Sequence, residues 1–150
     1  ATVGPADAST QLRTALAMGA DRAVHISSDA ATDPTMVATA IAQVAQDEGI
    51  DLILMGKQAI DDECSQTGQI LAQLSSIPQA TFVSQVSING DTATVVREID
   101  QGLETLEIDL PAIITTDLRL NEPRYVKLPD IMKAKKKTLA VIDSSGLRQK

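Results

Sequence analysis

Side chains able to do chemistry gather most densely in the run Asp51-Leu-Ile-Leu-Met-Gly-Lys-Gln-Ala-Ile-Asp-Asp-Glu-Cys-Ser-Gln-Thr-Gly-Gln69. Leu52 to Met55 is a short apolar run that predicts a buried strand. Gly56 breaks it, and a polar loop containing Asp61, Asp62 and Glu63 follows. From about Ser65 the pattern turns helical, with apolar residues at Ile70, Leu71 and Leu74. Strand, glycine, polar loop and helix in that order form the layout of a phosphate or nucleotide site at the C-terminal edge of a parallel sheet. Backbone N–H groups from Gly56 to Thr67 would act as donors, joined by the hydroxyls of Ser65 and Thr67. The run is neither a Walker A loop nor a GxGxxG fingerprint. On pattern alone a plain strand-to-helix turn fits equally well. The three acids sit awkwardly in a simple anion site. Holding a ribose hydroxyl, binding a metal through Asp61 and Asp62, and capping the helix are three uses the pattern leaves open.

Elsewhere the chemical signals are sparse. His25 is the sole histidine and lies in an apolar run, without the further His or Cys ligands a metal would need, so its expected role is structural. Cys64 stands where loop passes into helix, a place that can lower a thiol pKa, but no histidine neighbours it in sequence. One histidine cannot furnish a Ser-His-Asp set alongside every other base. The basic run Lys133, Lys135, Lys136 and Lys137 reads first as a solvated face, and lysines in a last helical turn suit the helix dipole. Beside it, Leu128 is an apolar residue next to Pro129 in a polar stretch, the kind of loop anchor a transient partner can grip.

The elements that must hold these groups are those of an α/β domain. The chain has 150 residues, enough for one domain that buries about 68–70% of its unfolded surface. Apolar residues make up 43% but aromatics only 1%, so the core must be aliphatic, as in buried parallel strands. Thirteen basic residues against 20 acidic ones give a net charge of −7, which argues against non-specific nucleic-acid binding. A lone cysteine excludes an internal disulfide and fits a reducing compartment. No run approaches the roughly 18 apolar residues of a membrane span, and no signal-peptide pattern is present. The chain opens at Ala1 without Met, at what reads as a strand end, and is expected to be a fragment or processed form.

Ala1 to Val3 reads as the end of a strand turning through Gly4-Pro5 into a helix that runs from about Asp7 to Met18, with Gly19 as its stop. Arg22 to Ser27 predicts a second strand. Asp33-Pro34 starts a helix whose stripe is Met36, Val37, Ala40, Ile41, Val44 and Ala45, and this helix feeds the strand at Asp51. The repeated strand–helix order implies parallel right-handed crossovers. Beyond Ser76 the period changes to two. Phe82 to Ile88 and Thr92 to Ile99 flank Asn89-Gly90-Asp91, a strong hairpin signal, and Leu103 to Leu110 alternates again. Pro111 leads into a continuous apolar run, 112–115, placed to rejoin the main sheet. Residues 121–125 read as a loop, a short helix starts at Pro129, 138–142 is a strand, and the last residues form a frayed polar tail. The predicted fold is therefore one α/β domain over residues 1–150: a Rossmann-like parallel sheet flanked by helices, with an antiparallel β-hairpin addition and a loop-and-helix segment at 119–137.

Several of these stretches are also specific as sequences. The 51–69 run strongly resembles the nucleotide loop of the electron-transfer flavoprotein beta subunit. So do Val96-Arg-Glu-Ile-Asp-Gln-Gly-Leu-Glu104 through Leu110-Pro-Ala, Leu120-Asn-Glu-Pro-Arg-Tyr125, Ile131-Met-Lys-Ala-Lys-Lys-Lys137 and Thr14-Ala-Leu-Ala-Met-Gly-Ala-Asp-Arg22. Together they cover nearly the whole chain and are most similar to the AMP-binding mitochondrial and proteobacterial branch. The resemblance implies an electron carrier rather than an enzyme. It implies a heterodimer in which the alpha subunit holds most of one FAD and the beta subunit buries a structural AMP. Expected partners are that alpha subunit, acyl-CoA and related dehydrogenases of fatty acid oxidation, and a membrane quinone oxidoreductase. The expected location is bacterial cytoplasm or mitochondrial matrix.

By the same resemblance, the AMP contacts fall on Val3 and on Gly56, Lys57, Gln58, Ala59, Ile60, Asp61, Asp62, Glu63, Cys64, Ser65, Gln66 and Thr67. Further family contacts lie N-terminal to Ala1, and both a first strand-helix portion and a C-terminal arm of the family have no counterpart here. Leu128 matches an apolar anchor that enters a pocket on the dehydrogenase, with Arg124, Tyr125, Pro129, Ile131 and Met132 around it. Glu98 matches an acid that touches the mobile FAD domain. Lys133 and Lys136 match lysines methylated in some relatives. Two alternatives stand beside this reading: an electron-bifurcating relative with a second FAD in the AMP site, and an adenine-nucleotide hydrolase on the same scaffold, against which the lack of an evident base weighs.

Overall fold

Residues 1–29, 32–60 and 63–146 are described by a computed structural model. Asp61, Asp62 and the polar tail at 147–150 lie outside the described residues. In chain order the elements are β1 (Thr2–Gly4), a 3-10 turn (Ala6–Ala8), α1 (Ser9–Ala17), β2 (Ala23–Ser27), α2 (Pro34–Glu48), β3 (Leu52–Gly56) and α3 (Thr67–Ser75). Then follow β4 (Gln79–Asn89), β5 (Thr92–Ile99), β6 (Gly102–Asp109), β7 (Ala112–Thr116), α4 (Leu128–Ala134), β8 (Leu139–Asp143) and a 3-10 turn (Ser144–Gly146). They divide into two compact units, one formed by residues 1–43 with 123–150 and the other by residues 44–122.

In the first unit three parallel strands run in the order β1-β2-β8. Val3 pairs with Ile26, and Ile26 with Ile142, so β2 is the central strand and Ala23, Val24, His25 and Ile26 are all buried. His25 is 3% exposed, and its Nε2 donates to the Gly4 carbonyl at 3.0 Å. A carbonyl can only accept, so that ring nitrogen carries the proton. The histidine ties β2 to the end of β1 and plays the structural part its apolar setting predicts. Leu12 and Leu16, one helical turn apart on α1, pack with Ala23 of β2 and Ala134 of α4. The helix start read at Asp33-Pro34 is present: Asp33 Oδ1 accepts from the Met36 N–H at 2.8 Å, satisfying one of the four free donors at the head of α2.

The second unit carries a five-stranded sheet ordered β3-β7-β4-β5-β6. β3, β7 and β4 are parallel, while β4, β5 and β6 form an antiparallel meander. The hairpin signal at Asn89 is met by the Asn89–Thr92 pair closing β4 on β5. The late apolar run does rejoin the sheet, as β7 between β3 and β4, with Ala112, Ile113, Ile114 and Thr115 all buried. The alternating strands put Ala80, Val83, Ala93, Val95 and Ile114 into one core, against Leu52, Val86, Leu106, Ile108 and Leu110.

Two expectations need correction. β3 is not a fully buried strand: it borders the five-stranded sheet, pairs there with β7 only, and Leu54 is 53% exposed. Nor do the strands form the single sheet predicted: they are ordered as two sheets, β1-β2-β8 and β3-β7-β4-β5-β6. Strand order decides both outcomes, and an apolar run reads the same at a border as at a centre. The border strand β6, by contrast, interleaves Glu104, Glu107 and Asp109 with its apolar residues, the usual protection of an exposed edge.

Candidate functional site

The C-terminal ends of β3 and β7 are adjacent and point the same way, which places the loop after each of them on one rim of the second unit's sheet. The two ends are laced together: the Lys57 N–H donates to the Thr116 carbonyl at 2.9 Å, and Thr116 Oγ1 donates to the Met55 carbonyl at 3.4 Å. Between the loops lies an open cleft of about 740 Å³. Its described lining is Gly56, Lys57, Gln58, Ala59, Ile60 and Glu63 from the first loop, Thr116, Asp117, Leu118 and Arg119 from the second, and Glu98 from β5.

Glu98 stands near the C-terminal end of β5, and the neighbouring strand β4 is irregular on both sides. Its pairing with β7 shifts register between Ala80 and Val83, and its pairing with β5 shifts between Val83 and Gln85. At that double irregularity Phe82 holds φ +58°, unusual for an aromatic, and its N–H donates to Thr115 Oγ1 at 3.3 Å. The Phe82 ring lies 5.2 Å beneath the Lys57 ammonium, a cation–π distance. Lys57 is thus held at both its backbone and its tip.

Charges alternate across the cleft. The Asp117 side chain is 7% exposed, and Arg119 donates to it from Nε at 3.1 Å and from its backbone N–H at 2.8 Å. Those side-chain and backbone hydrogen bonds hold the Asp117 carboxyl below the usual carboxylate range. Arg119 Nη2 also donates to Glu98, and the two carboxylates, Asp117 first, raise the guanidinium pKa. A carboxyl depressed on folding adds stability that is complete above its unfolded value of about 4 and disappears as pH falls through the folded value. The stability difference between wild type and Asp117→Asn should therefore be constant from neutral pH down to about pH 4 and shrink below that. Urea unfolding at a series of pH values reads this; a difference that grew on acidification would contradict it.

The expected nucleotide residues are distributed as follows. Gly56, Lys57, Gln58, Ala59, Ile60 and Glu63 come together on the cleft, while Cys64, Ser65, Gln66 and Thr67 lead from it into α3 and are absent from its described lining. Glu63 and Ser65 both hold left-handed backbone, at φ +53° and +51°. Non-glycine residues in that region are strained by about 1–3 kcal/mol each and are commonest at ligand clamps and switches. Val3 is on β1 in the first unit, half-buried. The use of Asp61 and Asp62 falls outside the described residues. Among the described residues no group of three His, Cys, Asp or Glu is arranged to hold a metal. The sequence reading missed Thr116, Asp117, Leu118 and Arg119. Their one signal was position, directly after a continuous apolar run, where parallel strands deliver ligand-facing residues.

The expected docking residues belong to the first unit. α4 begins at Leu128 with Pro129 in its first turn, and Asp130 Oδ2 accepts from the Lys127 N–H at 3.4 Å. Leu128, Ile131 and Met132 are 72%, 42% and 56% exposed, and Tyr125 just before them is 86% exposed. Lys133, Lys135 and Lys136 are exposed as well. α4 therefore turns an apolar side rimmed by ammonium groups outward. No described helix is long and apolar enough to cross a membrane.

Helix-flanked, largely parallel sheets with a cleft at the strands' C-terminal ends define an α/β protein of Rossmann-like class. Within that class, the profile described as electron transfer flavoprotein domain matches residues 1–146, and the chain belongs to that family. It is 56% identical over 148 residues to "Electron transfer flavoprotein subunit beta" of Sus scrofa, covering 96% of this chain and 58% of the pig protein. It is 53% identical over 151 residues to "Electron transfer flavoprotein subunit beta, mitochondrial" of Oryza sativa subsp. indica, covering 98% of this chain and 60% of the rice protein. Identity to the subunit beta of Bradyrhizobium diazoefficiens is 52% over 139 residues, covering 93% of this chain and 56% of the bacterial protein. The chain thus spans somewhat under two thirds of the length of these curated relatives.

Proposed function

We propose that the chain is the greater part of the beta subunit of a heterodimeric electron-transfer flavoprotein, an electron carrier that buries a structural AMP. In this reading it supports an alpha subunit that holds most of the FAD. It accepts electrons by docking acyl-CoA and related dehydrogenases through residues 124–137 and passes them on toward a membrane quinone oxidoreductase. The observation that carries the nucleotide assignment is the cleft where residues 56–60 meet the end of β7. Its first loop carries the residues assigned to AMP by family resemblance, and backbone amides at the end of a parallel strand suit a phosphate. Lys57 and Arg119 add cationic donors beside them. Glu98, on the same rim, is the acid assigned to the mobile FAD domain, and Leu128 with its apolar neighbours is the dehydrogenase anchor.

The test uses the full-length subunit purified with its alpha partner. Released by denaturation and separated by chromatography, the nucleotides should be one AMP and one FAD per heterodimer. Two FAD and no AMP would overturn the assignment in favour of the electron-bifurcating alternative.

A further inference from the structure

α4 is only seven residues long, and the inner side it presents to the first unit's core is a single alanine, Ala134. Isolated helices of that length are marginal in water, and one buried methyl supplies little of the missing stability. Its large apolar residues point outward, so core burial is not what keeps it helical. Beside its own N-terminal cap at Asp130, it has side-chain bonds to α1, and they are reciprocal. Arg13 of α1 donates from Nη1 to the Ala134 carbonyl at 3.0 Å and to the Lys137 carbonyl at 3.2 Å, satisfying carbonyls at the C-terminal end of α4. Lys137 donates from Nζ to the Leu16 carbonyl at 3.1 Å and the Ala20 carbonyl at 2.6 Å, doing the same for α1. Arg13 of α1 and Lys137, three residues past the end of α4, each bring a cation to the carbonyl end of the opposite helix, where the dipole favours it.

A close approach lies at the other end of the segment. Gly19 holds φ +123°, and a Cβ there would sit 2.8 Å from Nη1 of Arg124. The bare glycine lets the Arg124 guanidinium lie against the turn that ends α1. The bonds that fasten the segment to α1 are those of Arg13 and Lys137 at its C-terminal end, and the Arg124 side chain only lies against the turn after α1.

We infer that Arg13 and Lys137 are positioning residues: by cross-capping α1 and α4 they fix the orientation in which Leu128, Ile131 and Met132 face a partner. The inference rests on reading α4 as the docking helix. It separates Lys137 from its three exposed neighbours: Lys133, Lys135 and Lys136 border the docking side, while Lys137 is turned inward as a cap for α1. A surface already ordered before encounter avoids the ordering cost of binding, so losing a cap should weaken docking without touching the electron-transfer step that follows.

The experiment compares wild type, Arg13→Met, Lys137→Met and Lys137→Arg in the full-length heterodimer. One measurement is native-state hydrogen exchange of the Lys135 and Lys136 amides, which bond back to Ile131 and Lys133. The other is KM and kcat for reduction by an acyl-CoA dehydrogenase with its thioester substrate. Methionine keeps the length of the stem and deletes the cation. Either Met variant should speed exchange at both amides roughly ten-fold, the scale of one lost hydrogen bond to a charged group, and raise KM several-fold at unchanged kcat. Lys137→Arg should restore both. Exchange within two-fold of wild type in both Met variants overturns the inference, as does faster exchange with unchanged KM. If one Met variant fails to accumulate, the other decides alone, since each leaves the opposite cap in place. A Leu128→Ala variant keeps the two readings apart. Unchanged kinetics there would remove the docking role, whereas unchanged exchange here removes the caps whatever Leu128 does.

Discussion

Replacing Gly68 with Ala should destabilise the second unit by about 2 kcal/mol, despite placing a better helix former in α3. A Cβ at this position would lie 2.4 Å from Cγ2 of Thr115 and 3.3 Å from Sδ of Met55. The Met55 thioether can move aside. Thr115 cannot: it is β-branched, 2% exposed and on β7, and its hydroxyl receives the Phe82 N–H. The added methyl must push α3 off the sheet, and overpacking of that kind typically costs about 1–3 kcal/mol. Ala gains at most about 1 kcal/mol over Gly in a helix interior, and less in a first turn, so strain at the upper end of that range wins. In urea the unfolding midpoint should fall with the slope unchanged. Thr115→Ser deletes the opposing methyl and keeps the hydroxyl, so combining it with Gly68→Ala should recover more than half the loss, a coupling read by a double-mutant cycle. A midpoint equal to or above wild type for the single variant would show that α3 has room where none is visible.

The second large effect is expected with little change in stability. Leu128 is 72% exposed, so truncation to Ala should change unfolding free energy by no more than about 0.5 kcal/mol. If its side chain enters a pocket on the dehydrogenase, it ranks as a central anchor, and anchors of that sort contribute about 2 kcal/mol or more. That corresponds to roughly a 30-fold fall in kcat/KM for reduction of the full-length heterodimer by its dehydrogenase. Stability and docking are thus pulled apart at one position. Unaltered kcat/KM would end the anchor assignment.

Both variants test features that differ in how far the sequence disclosed them. The meander was legible because period-two alternation and Asn89-Gly90 are local signals, and β4, β5 and β6 follow them closely. The exposure of Leu128 was legible because it is an apolar residue beside a proline in a polar stretch. The clash at Gly68 was hidden, since its opposing methyl lies on a strand more than forty residues further along. Asp117 and Arg119 were hidden for the same reason: they reach Gly56 and Lys57 only through the β3–β7 pairing, which no spacing announces. Leu52 to Met55 and Ala112 to Thr115 look alike as strings, yet β3 borders its sheet and β7 is enclosed. The lysine run holds two environments, three exposed ammonium groups and one bonded to the end of α1, and only the path of α1 tells Lys137 from the others.

The insertion of β7 between β3 and β4 has an entropic side. The β4–β5 hairpin closes across two residues, from Asn89 to Thr92, whereas the first β3–β7 pair joins Leu52 to Ala112 across about sixty. By loop-closure statistics the longer ring forfeits roughly 3 kcal/mol more chain freedom. Both loops of the cleft spring from the two strands that close that ring, and only Glu98 comes to it from the meander. A fluctuation that parted β3 from β7 would erase the cleft and leave the meander's own ladders intact. A molecule filling the cleft would act as a rivet across the unit's longest closure, holding together the two strands that the chain alone keeps paired at the greatest entropic disadvantage.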